Sequence, residues 1–73
     1  MPTPTDFINE LEVSLEGVPK GSLSPETVFR EQPWWDSLAA LTTLAVFDSI
    51  YGKQLSAEQL RKCRTIADIC NHS

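Results

Sequence analysis

Few residues in this 73-residue chain could do chemistry. Ser37 carries a hydroxyl directly after Asp36, thiols stand at Cys63 and Cys70, and His72 is the one histidine. A Ser–His–Asp hydrolase can be drawn with Ser37 and His72. No nucleophile-elbow or oxyanion-hole pattern surrounds the serine, however, and no His or Lys adjoins it. With no base to activate it, Ser37 is a poor nucleophile, and no enzymatic activity is expected. Two cysteines and one histidine are too few for a four-ligand metal site, and the pair reads as two buried thiols rather than a bridge. Ser37 then has two readings. A serine at a helix start is ordinarily the cap. If Asp36 is the cap instead, Ser37 takes the first helical position with its hydroxyl outward. A phosphodiester there would face free backbone N–H groups and the positive end of the helix dipole.

The helix carrying Ser37 is predicted to begin at Asp36-Ser37 and to end near Tyr51, before Gly52. On a helical wheel Ala40, Thr43, Leu44, Phe47, Ile50 and Tyr51 share one half, which is expected to be the core face. Leu38, Leu41 and Ala45 fall on another side, near Asp48 and beside Ser37, with Ala39, Thr42 and Ser49 elsewhere on the surface. The helix is either buried on most sides or carries a second apolar strip for docking.

The other elements follow from caps and spacing. A first helix starts at Thr3 or Thr5 with Pro4 in its first turn, carries Phe7, Ile8, Leu11 and Leu15 on one face, and ends by Gly17 and Pro19. Residues 17–35 form a long loop, with a turn of helix available at Ser24-Pro25-Glu26-Thr27 and Leu23, Val28 and Phe29 as buried anchors. Ser56 to Gln59 is a capping-box pattern opening a short third helix to about Cys63, and Thr65 to Asp68 a less standard one opening a fourth.

Bulk properties narrow the function. One small domain over residues 1–73 has a thin core and little room for a substrate pocket with catalytic machinery. The net charge is −4, with eight acids against two bases in residues 1–51 and four bases (Lys53, Arg61, Lys62, Arg64) against two acids after them. An acidic bulk argues against nucleic acid, and Arg61, Lys62 and Arg64 are read as complementing a helix C-terminus. No apolar run approaches the roughly 20 residues that cross a membrane. The start Met1-Pro2-Thr3-Pro4-Thr5-Asp6 lacks the pattern of a secretory signal, so a cytoplasmic location is expected.

Asp36-Ser37-Leu38 followed by a helix to Tyr51, with Phe29 eight residues before the serine, resembles the acyl carrier protein family. Tyr51-Gly52, Leu55-Ser56 and Arg64-Thr65-Ile66-Ala67-Asp68-Ile69 resemble the family's later helix junctions, so the likeness covers nearly the whole chain. It implies an all-α fold, a small four-helix bundle with a long loop between helices I and II and a short helix III. It implies that a phosphopantetheinyl transferase attaches 4′-phosphopantetheine from coenzyme A to Ser37, using a divalent metal, with Asp36 as helix cap and transferase contact. The arm's thiol would hold an acyl group as a thioester. A monomeric carrier would present it to acyl-loading and acyl-transferring enzymes through Leu38, Leu41, Ala45, Asp48 and Trp35. Acyl cargo outranks aminoacyl or peptidyl cargo, because the Asp-Ser-Leu form is commoner in acyl carriers.

Two departures matter. Pro33-Trp34-Trp35 replaces the family's glycine-containing turn, and Trp35 is expected to pack over the bundle rather than to serve as a partner contact, although aromatic side chains suit both jobs. Helix II carries only Asp36 and Asp48 where fatty-acid carriers are lined with acids, which points to a specialised biosynthetic pathway and to docking more apolar than ionic. The competing reading is a small helical interaction module with no prosthetic group, using Leu38, Leu41, Trp34 and Trp35.

Overall fold

Thr3 opens the first helix by a reciprocal cap. Its hydroxyl accepts the Asp6 N–H at 3.3 Å, and its own N–H donates to Asp6 Oδ2 at 3.0 Å. Pro4, lacking an N–H, occupies the first helical position at no cost, and α1 runs Pro4–Ser14. The structure, a computed structural model, describes residues 3–72; Met1, Pro2 and Ser73 lie outside them. The remaining helices are α2 (Ser37–Tyr51), α3 (Ala57–Lys62) and α4 (Ile66–Cys70). Four α-helices and one 3₁₀ turn account for the regular structure among the described residues.

Each helix start is made by the residue that the sequence nominates. Ser56 and Gln59 form the capping box of α3, and Thr65 and Asp68 form that of α4. The Asp68 carboxylate accepts the N–H groups of both Thr65 and Arg64 at 3.0 Å, and these bonds hold its pKa below the usual carboxylate value. Gly52 ends α2 in the left-handed region at φ +67°, where a side chain would be strained.

One core collects the apolar faces. Phe7, Leu11, Phe29, Phe47, Ile66 and Ile69 are fully enclosed, joined by Ile8, Leu15, Leu23, Leu55 and Leu60. Phe7 meets Phe47 edge to face at 6.0 Å, and Tyr51 closes the trio at 4.9 Å from Phe47. Packing of α1 on α2 and α4 produces this cluster. Thr43 is buried in it, and its hydroxyl is satisfied by the Ala39 carbonyl one turn earlier, at 2.8 Å. Cys63 and Cys70 are buried thiols, not a disulfide, and burial pushes both thiol pKa values up.

The long loop is tied down at both ends. Glu12 of α1 accepts the Leu23 N–H at 3.0 Å, and backbone donors at Gly21 and Leu23 lower its pKa. Further on, Pro25 and Thr27 offer their carbonyls to the Ala67 and Ile66 N–H groups at 2.8 and 3.2 Å, and Val28 bridges Thr65. The first-turn donors of α4, orphans in an isolated helix, are thereby satisfied by the loop.

Several expectations need correction here. Ser24–Thr27 is a hydrogen-bonded turn, not helix; the loop's helical turn is the 3₁₀ segment Phe29–Glu31. Val28 is half-buried, while Leu23 and Phe29 are buried as expected. The core face of α2 is rotated toward Ala39 and Val46, which are 5% and 6% exposed, and Thr42 is half-buried rather than on the surface. Leu44, expected in the core, is half-buried. It faces α3, and a six-residue helix is too short to cover it.

Candidate functional site

Asp36, extended in backbone, caps α2 by accepting the Ala39 N–H at 2.8 Å. Ser37 is therefore the first helical residue, not the cap, and it is exposed. Among the described residues its hydroxyl makes no hydrogen bond. The helix N-terminus beneath it favours negative charge. No histidine lines the depression that Ser37 lines, and among the described residues no group of three metal-ligating side chains gathers anywhere.

Ser37 opens onto a groove of about 420 Å³. Ala40, Leu41 and Leu44 of α2 form one wall, and Ala57 and Leu60 of α3 the other. Trp35 lines it as well. Its ring lies 4.7 Å from that of Phe29, which is wholly buried, so the tryptophan is anchored to the core and still faces the groove. Arg30 and Arg61 complete the lining. Arg30 lies over the Phe29 ring, 5.4 Å from its centre, and donates a hydrogen bond to the Leu60 carbonyl. The same carbonyl also accepts the Cys63 N–H at 3.0 Å, and the arginine bond links the loop to the helix.

Two further depressions flank α2. One, of about 390 Å³, continues past Leu44 and is lined by Ala45, Asp48, Leu55 and the polar side chains of Gln54, Ser56 and Gln59. The other, of about 280 Å³, lies on the opposite flank between Trp34, Asp36, Leu38, Thr42 and the end of α1.

Of the residues expected to meet partners, Leu38, Leu41, Ala45 and Asp48 are exposed and Trp35 is half-buried, and they do not form one patch. Leu38 and Leu41 are 67% and 65% exposed, the most open large apolar side chains of α2. Leu41 and Trp35 share the groove of Ser37, Ala45 and Asp48 belong to the polar depression beyond Leu44, and Leu38 sits with Asp36 on the other flank. Sequence reasoning missed Arg30, Ala57 and Leu60 as neighbours of Ser37 and gave Arg61 only the helix end. Their placement depends on how α3 lies against the 3₁₀ turn, which no local pattern encodes.

No protein-family model, no curated protein and no solved structure matches this chain.

Proposed function

We propose that this chain is an acyl carrier: a small helical bundle that bears an acyl thioester on a 4′-phosphopantetheine arm at Ser37. The observation that carries the reading is the pairing of cap and hydroxyl. Asp36 does the capping that Ser37 would otherwise do, leaving an exposed, unbonded hydroxyl at the positive end of a fifteen-residue helix. The surroundings fit the group. A phosphodiester at Ser37 would meet cations at Arg30 and Arg61, and the apolar wall beyond offers cover to an arm or its cargo. The arm's terminal thiol is what would hold the acyl group; the chain's own thiols are buried with raised pKa values and are unsuited to that task.

Attachment requires a separate transferase with coenzyme A and a divalent metal. The Ser37 oxygen would form a new bond to phosphorus as the nucleotide part of coenzyme A leaves, and the hydroxyl proton would pass to a base on the transferase, since none adjoins it here. With two acids on α2, the carrier would serve a specialised biosynthetic pathway through apolar contacts at Leu38 and Leu41. Incubation with a broad-specificity transferase, coenzyme A and Mg²⁺ should add one arm of about 340 Da by intact mass. Ser37→Ala should abolish the addition while leaving the helical circular dichroism unchanged. An arm still added to that variant contradicts the assignment.

A second reading, a protein-interaction module without a prosthetic group, is favoured by the exposure of Leu38 and Leu41 alone. A chain that never accepts the arm but binds a partner through those leucines would establish it.

A further inference from the structure

Among the four helices only α3 carries a lysine or an arginine. Its last two residues are Arg61 and Lys62, and Arg64 follows the cap at Cys63. The fold adds a fourth cation from thirty residues away, because Arg30 reaches the Leu60 carbonyl. Four of the chain's six Lys and Arg therefore gather at one end of a six-residue helix, and all four are exposed. The acids nearest in sequence are few. Glu58 stands in the first turn of α3, Glu31 follows Arg30, and Asp68 spends its carboxylate on the Arg64 and Thr65 N–H groups. Complementing the α3 dipole does not call for four cations, since the Leu60 carbonyl already accepts both Arg30 and the Cys63 N–H. The other faces have the opposite sign: α1 carries Asp6, Glu10 and Glu12 with no base, and α2 carries Asp48 with none.

We propose that the cationic end of α3 is a docking surface for a partner protein that presents a short run of Asp and Glu. Three of the four cations are arginines, whose paired N–H donors match a carboxylate two at a time. A nucleic acid or an anionic membrane, by contrast, is an extended array of negative charge. The molecule measures only 26 × 24 × 19 Å, and charges reach about 10 Å at 0.1 M salt, so an array that large would also feel the acids of α1 and α2. The net charge of −4 then works against it. A short acidic segment meets the α3 end alone. Lys62 and Arg64 line none of the three depressions around α2, so this surface reaches past the groove of Ser37. It does not depend on the carrier reading, and no bond is made or broken.

The test uses the full chain and a fluorescently labelled synthetic peptide rich in Asp and Glu. Anisotropy at low salt reads binding, and NMR amide shifts report the site, expected at Arg30, Arg61, Lys62 and Arg64. Lys62→Gln combined with Arg64→Gln should weaken binding about five-fold, the scale of two exposed ion pairs. Lys20→Gln combined with Lys53→Gln removes the same charge elsewhere and should change binding less than about two-fold. All four of these side chains are exposed, so both double variants should keep the fold. Single-stranded RNA, and vesicles containing phosphatidylserine, should bind more weakly than the peptide at the same salt. The proposal is overturned by a wild type that does not bind the peptide, by equal weakening in the two double variants, or by tighter binding of the RNA or the vesicles.

Discussion

The Asp36 carboxylate lies 2.8 Å from the Ala39 N–H and is the only side-chain bond at the start of α2 among the described residues. Losing it should cost what a lost N-cap costs. Asp36→Ala is expected to destabilise the chain by about 1 kcal/mol, a fall of roughly 4–8 °C in Tm for a domain of this size. Asp36→Asn keeps an acceptor and should fall much less. Thermal melts of both variants check the assignment. Equal losses would mean that charge, not the hydrogen bond, holds the helix end.

Phe47 and Leu44 lie three residues apart on α2 and should respond very differently. Phe47 is fully enclosed beside Phe7 and Tyr51, so Phe47→Ala should cost about 3–5 kcal/mol. Leu44 borders the open groove and loses less on truncation because part of it already faces water. Urea denaturation of both variants gives the ranking. A Leu44→Ala as damaging as Phe47→Ala would mean that α3 closes over the groove.

Alkali should unfold the chain through its buried acids. The pKa of Cys63, of Cys70 and of Tyr51 is raised, in each case chiefly by burial, from ordinary values of 9.0 for the thiols and 10.0 for the phenol. Their neutral forms are favoured in the folded state. The stability they contribute is fully present below the unfolded pKa values and is lost as pH rises through and beyond them. Stability measured in urea should therefore be level near neutrality and begin to decline at about pH 9. Tyr51→Phe should flatten the upper part of that decline. A native chain whose thiols react with a thiol reagent at neutral pH as fast as an unfolded chain would contradict the burial.

If Ser37 carries the arm, delivery should depend on Leu41 more than on Asp48. Leu41 is open to solvent and shares the groove of Ser37, whereas Asp48 belongs to the next depression. Leu41→Ala should slow transfer to the cognate enzyme more than Asp48→Asn does, and raising salt to about 0.5 M should change the wild-type rate little. A steep fall with salt and a larger effect of Asp48→Asn would indicate ionic docking.

Helix limits were legible in the sequence because they are local. Thr3, Asp36, Ser56 and Thr65 each cap the helix that their own next three residues begin, and Gly52 ends α2 where its missing Cβ is needed. The hydroxyl of Ser37 was legible for the same reason. The face of α2 was less so. A wheel ranks apolar positions but does not say which neighbour lies where, so Ala39 and Val46 were passed over and Leu44 was placed too deep. The approach of Arg30 to Leu60 joins residues thirty positions apart and leaves no local signature.

The loop carbonyls of Pro25 and Thr27 that receive the Ala67 and Ile66 N–H groups have a mechanical consequence. Five residues are too few to persist as a helix in water, so α4 exists only while the loop is in place, and the two open together or not at all. The side of the molecule formed by α1, the loop and α4 therefore behaves as a stiff frame. Breathing of the groove beside Ser37 would fall instead to α3, which is tied to that frame by the buried Leu60 side chain and by the Arg30–Leu60 bond. Amide exchange should follow this division, with Ile66 and Ala67 exchanging at the slow pace of global unfolding and the exposed turn of α3 at Glu58 and Gln59 exchanging first.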